Sequence, residues 1–97
     1  MESVDKSPAE RRRARLRFRA AHRGFKEADL VFGAFAETFL PGLDEAALDR
    51  FELLLECPDH EVMAWLDGTA IVPSAFDTDV FRLLKSLSTQ KNPAWRT

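Results

Sequence analysis

One short segment carries the groups best suited to recognising another molecule. Arg23, Gly24, Glu27 and Asp29 stand within seven consecutive residues. The guanidinium of Arg23 offers a fork of donors and Glu27 offers a carboxylate acceptor, so the segment can form charge-assisted hydrogen bonds with a partner. Gly24 would expose backbone at a tight corner and let that partner come close. This chemistry is binding rather than bond-making.

The same spacing is also typical of a break between two helices. Gly24 would be the C-cap of the first helix, with Arg23 at the C-terminal end of that helix. Glu27 and Asp29 would lie in the first turn of the second helix, where the helix dipole favours anions. The two interpretations are compatible, because a cap can also be a contact.

The remaining reactive residues lack suitable neighbours. Cys57 is the single cysteine, which excludes an internal disulfide and a cysteine-based zinc site. Acidic neighbours are expected to raise the pKa of its thiol and make it less reactive. His22 and His60 lie in different segments, which argues against a metal site. Three acids at one predicted helix junction resemble capping more than an acid–base pair: Glu56, Asp59 and Glu61. We predict no catalytic residues and no metal site.

The elements that must position the segment are predicted to be helices, because apolar residues recur at helical spacing. We expect five helices, at about residues 8–22, 25–40, 44–56, 60–67 and 77–88. Apolar side chains at helical spacing are expected to form the core, among them Phe32, Phe35, Phe51 and Trp65. Asp44 is expected to be the N-cap of the third helix. Gly68 should close the fourth.

Four local details are also predicted. Ser7 and Pro8 should start the first helix, and its apolar stripe should be Ala14, Phe18, Ala21 and Phe25. Asp59 should be the N-cap of the fourth helix. In the loop at residues 68–76, Ile71 and Val72 should be packing anchors. Ser74 with Asp77 should start the last helix as a capping box.

Length and composition limit the architecture. A chain of 97 residues and 11.0 kDa has room for one hydrophobic core. We therefore predict an all-α, compact single-domain bundle of five helices at residues 8–88, with flexible termini at 1–7 and 89–97. The role of Trp95 in the C-terminal tail stays open. No apolar run is long enough for a membrane span.

Charge is unevenly distributed along the chain. Residues 1–26 carry nine Lys or Arg against three acids, and residues 27–97 carry five against thirteen. A solvated basic face, partly neutralised by the later acids, is one interpretation, and a nucleic-acid-binding helix is another. The overall acidity disfavours nucleic acid. Early acids and the lack of an apolar h-region disfavour a targeting peptide, so a cytoplasmic location is expected.

The segment RGFKEADL at residues 23–30 resembles the signature of the succinate dehydrogenase flavinylation factors, also called FAD assembly factors. The segment LLECPDHEVMAWL at residues 54–66 resembles that family's second stretch, Leu-Leu-Glu-x-x-Asp followed by Trp-Leu. The resemblance extends over about residues 12–90. Both motifs occur in the family's order, which makes the resemblance specific.

The resemblance implies a five-helix bundle that is not an enzyme in its own right. Family members are assembly factors that bind the flavoprotein subunit of succinate dehydrogenase, or of fumarate reductase. They promote covalent attachment of FAD to a histidine of that subunit. The family's principal functional patch falls on Arg23, Gly24 and Glu27 here, with Asp29 extending it. No cofactor is expected to be held stably, and no nucleic acid is expected as a partner.

Other functions stay open on the residues alone. A nucleic-acid-binding protein would use the basic first helix, and an antitoxin-like regulatory protein would use the same bundle with a different partner. Whether the chain contacts FAD directly, and which flavoprotein it prefers, also stay open. A monomer that forms a transient 1:1 complex is the expected state.

Overall fold

The computed structural model describes residues 7–88. Within them the chain forms five α-helices and no β-strand: α1 (Pro8–Ala21), α2 (Lys26–Phe39), α3 (Glu45–Glu56), α4 (Asp59–Asp67) and α5 (Asp79–Ser88). Two short 3-10 turns, Leu40–Gly42 and Ser74–Phe76, lie in the connections. The predicted all-α bundle of five helices is confirmed. The termini predicted to be flexible lie outside the described residues, apart from Ser7, and so does Trp95.

Helix α1 begins as predicted but buries a different face. Ser7 Oγ accepts a hydrogen bond from the Glu10 amide at 3.1 Å, and the Ser7 amide donates to Glu10 Oε1 at 3.0 Å. The residues that reach the core are Leu16 and Ala20, whereas Phe18 is 64% exposed. The predicted stripe through Phe18 was therefore wrong.

The physical reason lies in the arginines of α1. Arg12, Arg13 and Arg19 are only partly exposed, because their charged heads reach polar partners within the fold. This arrangement lets the aliphatic stems of arginines cover apolar surface. A pattern that treats every arginine as outward-facing therefore places the stripe on the wrong side of the helix.

Helices α2 and α3 build the centre of the core. Phe32 and Phe35 of α2 and Phe51 of α3 are all fully buried. The rings of Phe35 and Phe51 stack with their centroids 4.9 Å apart, and those of Phe32 and Phe51 lie 6.4 Å apart. Such aromatic pairs add roughly 0.5–1.5 kcal/mol beyond the area they bury. These predicted core positions are confirmed.

Of the caps predicted for α3 and α4, only the N-cap of α4 differs in the structure. Asp44 caps α3 as expected, with its Oδ1 2.8 Å from the Ala47 amide nitrogen. Asp59 does not cap α4, because Pro58 occupies the N-cap position and Asp59 is the first residue of the helix. The Asp59 carboxylate instead reaches the side chain of Arg23. Gly68, at φ +84°, ends α4 as predicted.

The connection from α4 to α5 also differs in two places. Ile71 is 93% exposed, so it is not a packing anchor, whereas Val72 packs partly against the core. The last helix begins at Asp79, later than predicted, and the Thr78 hydroxyl oxygen accepts from the Phe81 amide at 3.3 Å. The start signal at Ser74 was wrong, because Phe76 of the second 3-10 turn stacks on buried Trp65 and holds that segment out of the helix.

Among residues 7–88, no helix is both long and apolar enough to cross a bilayer.

Candidate binding site

The predicted binding segment forms a sharp turn between α1 and α2. We call residues 22–29, from the C-cap of α1 through the first turn of α2, the corner. α1 stops at Ala21, and His22 takes the C-cap position at φ −132°. Gly24 lies two residues further on at φ +119°, a conformation that L side chains rarely adopt. Gly24 is therefore required by the turn itself, and its predicted role as the C-cap of α1 was wrong.

Asp29 holds the main chain of the corner from inside α2. Its Oδ1 accepts hydrogen bonds from the backbone amides of Arg23 and Gly24, the latter at 3.2 Å. Two amides beyond the end of α1 thus obtain a charged acceptor. The carboxylate of Asp29 is occupied in shaping the turn.

Arg23 points into the bundle rather than into solvent. Its side chain is 11% exposed, and Nε donates to Asp59 Oδ1 at 2.8 Å. Nη2 donates to the backbone oxygen of Leu55 at 2.7 Å. The guanidinium carbon lies 5.4 Å from the centroid of the Phe32 ring, within cation–π range. The side chain predicted to contact a partner joins the corner to the α3–α4 junction.

Glu27 and Gly24 face outward. Glu27 lies in the first turn of α2, where the helix dipole favours an anion. Its side chain is exposed and forms no hydrogen bond or ion pair within residues 7–88. Around Gly24, no atom lies within 4 Å of the position that a Cβ would occupy. The structure thus brings all four predicted residues to one corner, with two facing solvent and two facing the protein.

Exposed aromatic rings border the corner. The ring of His22 stacks on that of Phe18 with centroids 4.0 Å apart, and both side chains are exposed. Phe25, the N-cap residue of α2, is 42% exposed. The sequence pattern had assigned Phe18 and Phe25 to the core. Phe18 instead lies against His22 and Phe25 directly follows Gly24, so both add apolar area to the outward surface.

Asp59 is the residue that sequence reasoning missed in this site. Its side chain is 15% exposed and is the ionic partner of Arg23. One signal in the sequence could have pointed to Asp59, because it is the aspartate of the second family-like stretch, Leu-Leu-Glu-x-x-Asp. Its position at the start of a predicted helix suggested only an N-cap.

Two of the six arginines of α1 form ion pairs with acids of α3. Arg12 lies 2.9 Å from Glu45, 2.6 Å from Asp49 and 3.0 Å from Glu52. These bonds raise the pKa of Arg12, led by the hydrogen bond to Asp49. Arg19 pairs with Glu56 at 3.0 Å. The arginine pattern therefore serves helix packing, which favours the predicted neutralised face over a nucleic-acid interface.

The other reactive groups singled out in the sequence are Cys57 and the three acids near it. Burial raises the pKa of the Cys57 thiol, with Glu61 and Glu56 adding to the effect. The predicted direction is confirmed, although burial rather than charge is the leading cause. Glu56 and Asp59 form ion pairs instead of caps. Across residues 7–88, no group of three or more metal-ligating side chains comes together.

Comparison with known proteins finds a family whose model covers most of this chain. The family model described as "Flavinator of succinate dehydrogenase" matches residues 14–88. The chain belongs to this flavinator family. The resemblance stated from the two motifs is thereby confirmed, and the match includes both the corner and the α3–α4 junction that Arg23 joins to it.

Individual members of the flavinator family are similar over most of this chain. A mitochondrial succinate dehydrogenase assembly factor 2 of Dictyostelium discoideum is 35% identical over 79 residues, covering 81% of this chain and 56% of that protein. An FAD assembly factor SdhE of Acetobacter pasteurianus is 39% identical over 71 residues, covering 73% and 65%. The chain thus spans between about half and two-thirds of the length of these curated relatives.

Proposed function

We propose that this protein binds the flavoprotein subunit of succinate dehydrogenase, or of the related fumarate reductase, and promotes covalent attachment of FAD to it. The observation that carries the proposal is the corner, where the family signature forms a hydrogen-bonded turn with Gly24 and Glu27 exposed. Membership of the flavinator family and the names of its relatives, which describe assembly of the dehydrogenase or of FAD, support it.

The protein acts as an assembly factor and not as the catalyst of the bond. The bond joins a histidine of the partner to the 8α-methyl carbon of FAD, so its chemistry comes from the partner and the flavin and is autocatalytic there. The binding of this protein favours the partner conformation in which histidine and flavin are aligned and water is excluded. FAD is the substrate of that attachment, and this chain holds no cofactor stably.

The corner supplies the contact. Gly24 lets the partner's surface approach the backbone, and Glu27 accepts charge-assisted hydrogen bonds from a basic or amide donor on that surface. The protein acts as a monomer in a 1:1 complex, in the cytoplasm, where Cys57 stays reduced.

Covalent flavin on the partner is the decisive measurement. The gene is deleted in its host, and denatured extracts are run on a gel and read for flavin fluorescence at the size of the dehydrogenase flavoprotein. We expect the band to disappear on deletion, to return with the wild-type gene and to return poorly with Glu27→Ala. A blot for the flavoprotein corrects for its amount.

Lys26→Ala is the matched control. Lys26 is the neighbouring residue on α2, is exposed and forms no side-chain bond within residues 7–88. We expect this variant to restore the band fully. An undiminished band after deletion would contradict the proposed function. Equal rescue by Glu27→Ala and Lys26→Ala would retain the function and place the contact elsewhere.

A further inference from the structure

We infer that Asp59 is a positioning residue of the binding site, and that Arg23 acts through Asp59 from inside the bundle instead of touching the partner. The inference rests on the proposed function, because it concerns how the corner becomes competent to bind the flavoprotein. It joins the two family-like stretches, which are separate in sequence, into one unit.

The ion pair between these residues is well enclosed. The side chains of Arg23 and Asp59 are 11% and 15% exposed, and two nitrogens of the guanidinium lie 2.8 Å from the same carboxylate oxygen. A partner could reach Arg23 only if the side chain rotated out. Rotation would break the bond to Leu55 O and leave the carboxylate of Asp59 partly buried without a counter-charge, which is costly.

Arg23 is also fixed through its main chain. The amides of Arg23 and Gly24 both donate to Asp29 Oδ1. The corner is thus held from α2 through its backbone and from the α3–α4 junction through the Arg23 side chain. Gly24 lies directly between the fixed Arg23 and the start of α2, so the ion pair determines which way its exposed backbone faces.

A double-mutant cycle tests the inference. The purified partner is the flavoprotein subunit isolated without covalent FAD from the deletion host. The dissociation constant of its complex with each variant is measured by calorimetry at low temperature, after circular dichroism has verified that the variant is folded. If Arg23 and Asp59 form one positioning unit, Arg23→Ala and Asp59→Ala each weaken binding about tenfold, and the double variant also weakens it about tenfold.

Two further variants separate positioning from general stability. Asp59→Asn keeps an oxygen acceptor for Arg23 Nε and is expected to weaken binding less than Asp59→Ala. Arg50→Ala removes another arginine–aspartate pair, the bonds of Arg50 to Asp79 at 2.8 and 3.1 Å, which joins α3 to α5 outside the corner. It should lower the melting temperature and leave the dissociation constant unchanged.

The contrary result is equally clear. If Arg23 itself touches the partner, Arg23→Ala weakens binding while Asp59→Ala leaves it unchanged or tightens it, since the freed guanidinium can then reach out. Either outcome for Asp59→Ala would overturn the inference. If the double variant bound about a hundredfold more weakly than wild type, the two tenfold effects would be independent. That result would overturn the inference as well.

Hydrogen exchange distinguishes failure of the inference about Asp59 from failure of the proposed function. In the isolated protein, Asp59→Ala should speed exchange of the Gly24 amide, whereas Arg50→Ala should not. Unchanged exchange at Gly24 would overturn the inference without any partner present. Absence of binding by the wild-type protein, with the exchange result as expected, would instead contradict the proposed function.

Discussion

At the scale of single residues, the family signature divides into two roles. Gly24 and Glu27 present a surface, whereas Arg23 and Asp29 are turned inward and shape the turn that presents it. The signature's charged residues were all predicted to contact a partner, because their types and spacing suit recognition. Spacing alone does not reveal which charges are already satisfied within the fold.

A pair of substitutions at Gly24 separates backbone strain from contact with the partner. Both Gly24→Ala and Gly24→Arg should lose about 1–2 kcal/mol of unfolding free energy, because L residues are strained at this φ. The new Cβ itself meets no atom within 4 Å in either variant, apart from Gly24 and its chain neighbours. We expect Gly24→Arg to abolish covalent flavinylation and Gly24→Ala to retain most of it.

Urea unfolding and in-gel flavin fluorescence measure these two effects. Flavinylation lost equally in both variants would show that the turn's shape is what matters and would refute a close approach of the partner at Gly24.

At the scale of elements, the sequence predicted correctly those features that depend on residues of a single helix. The cap of Asp44 and the phenylalanine spacing of α2 and α3 are contained in one helix each, and both were predicted correctly. The buried face of α1 and the role of Asp59 could not be predicted, because both depend on partners far away in sequence. Asp59 is 36 residues from Arg23.

The corrected face of α1 leads to a stability prediction. Leu16→Ala should cost about 2–5 kcal/mol of unfolding free energy, because it leaves a cavity in the core. Phe18→Ala removes a larger side chain than Leu16→Ala does. It should nevertheless cost about 1 kcal/mol at most, because Phe18 is exposed. Chemical unfolding of the two variants shows which face of α1 is buried. A larger loss of unfolding free energy for Phe18→Ala than for Leu16→Ala would support the buried face predicted from the sequence.

At the scale of the whole molecule, opposite charges in the two halves of the chain meet across the bundle. Arg12 and Arg19 of α1, in the basic half, pair with acids of α3. Within the acidic half, Arg50 of α3 also pairs with Asp79 of α5. The modest net charge of −2 therefore conceals many paired charges. Stability should consequently respond to the protonation of carboxylates that are bonded in the folded state.

Asp79 provides the clearest case. Its pKa is lowered, first by the hydrogen bond from Arg50. The folded-state pKa lies below the unfolded one, so the stabilisation is present above about pH 4 and is lost as the pH falls through the folded value. Asp79→Asn should therefore cost about 0.2–1 kcal/mol at pH 7, since the pair is largely exposed, and less at pH 3.

Urea titrations at several pH values test this dependence. Glu37→Gln serves as the control, because Glu37 is exposed and its side chain forms no bond within residues 7–88. A difference between wild type and Asp79→Asn that stays constant from pH 7 to pH 3 would show that the charge of Asp79 is not what stabilises the fold.

The long separation between Arg23 and Asp59 has a consequence during synthesis. At about 5–20 residues per second, the ribosome makes Arg23 roughly 2–7 s before it makes Asp59. Throughout that interval the signature segment exists without the residue that completes its shape. If Asp59 has the inferred positioning role, a nascent or truncated chain carries the complete first motif without its binding form. Recognition by the corner would then be restricted to molecules whose second half has already been made and has docked.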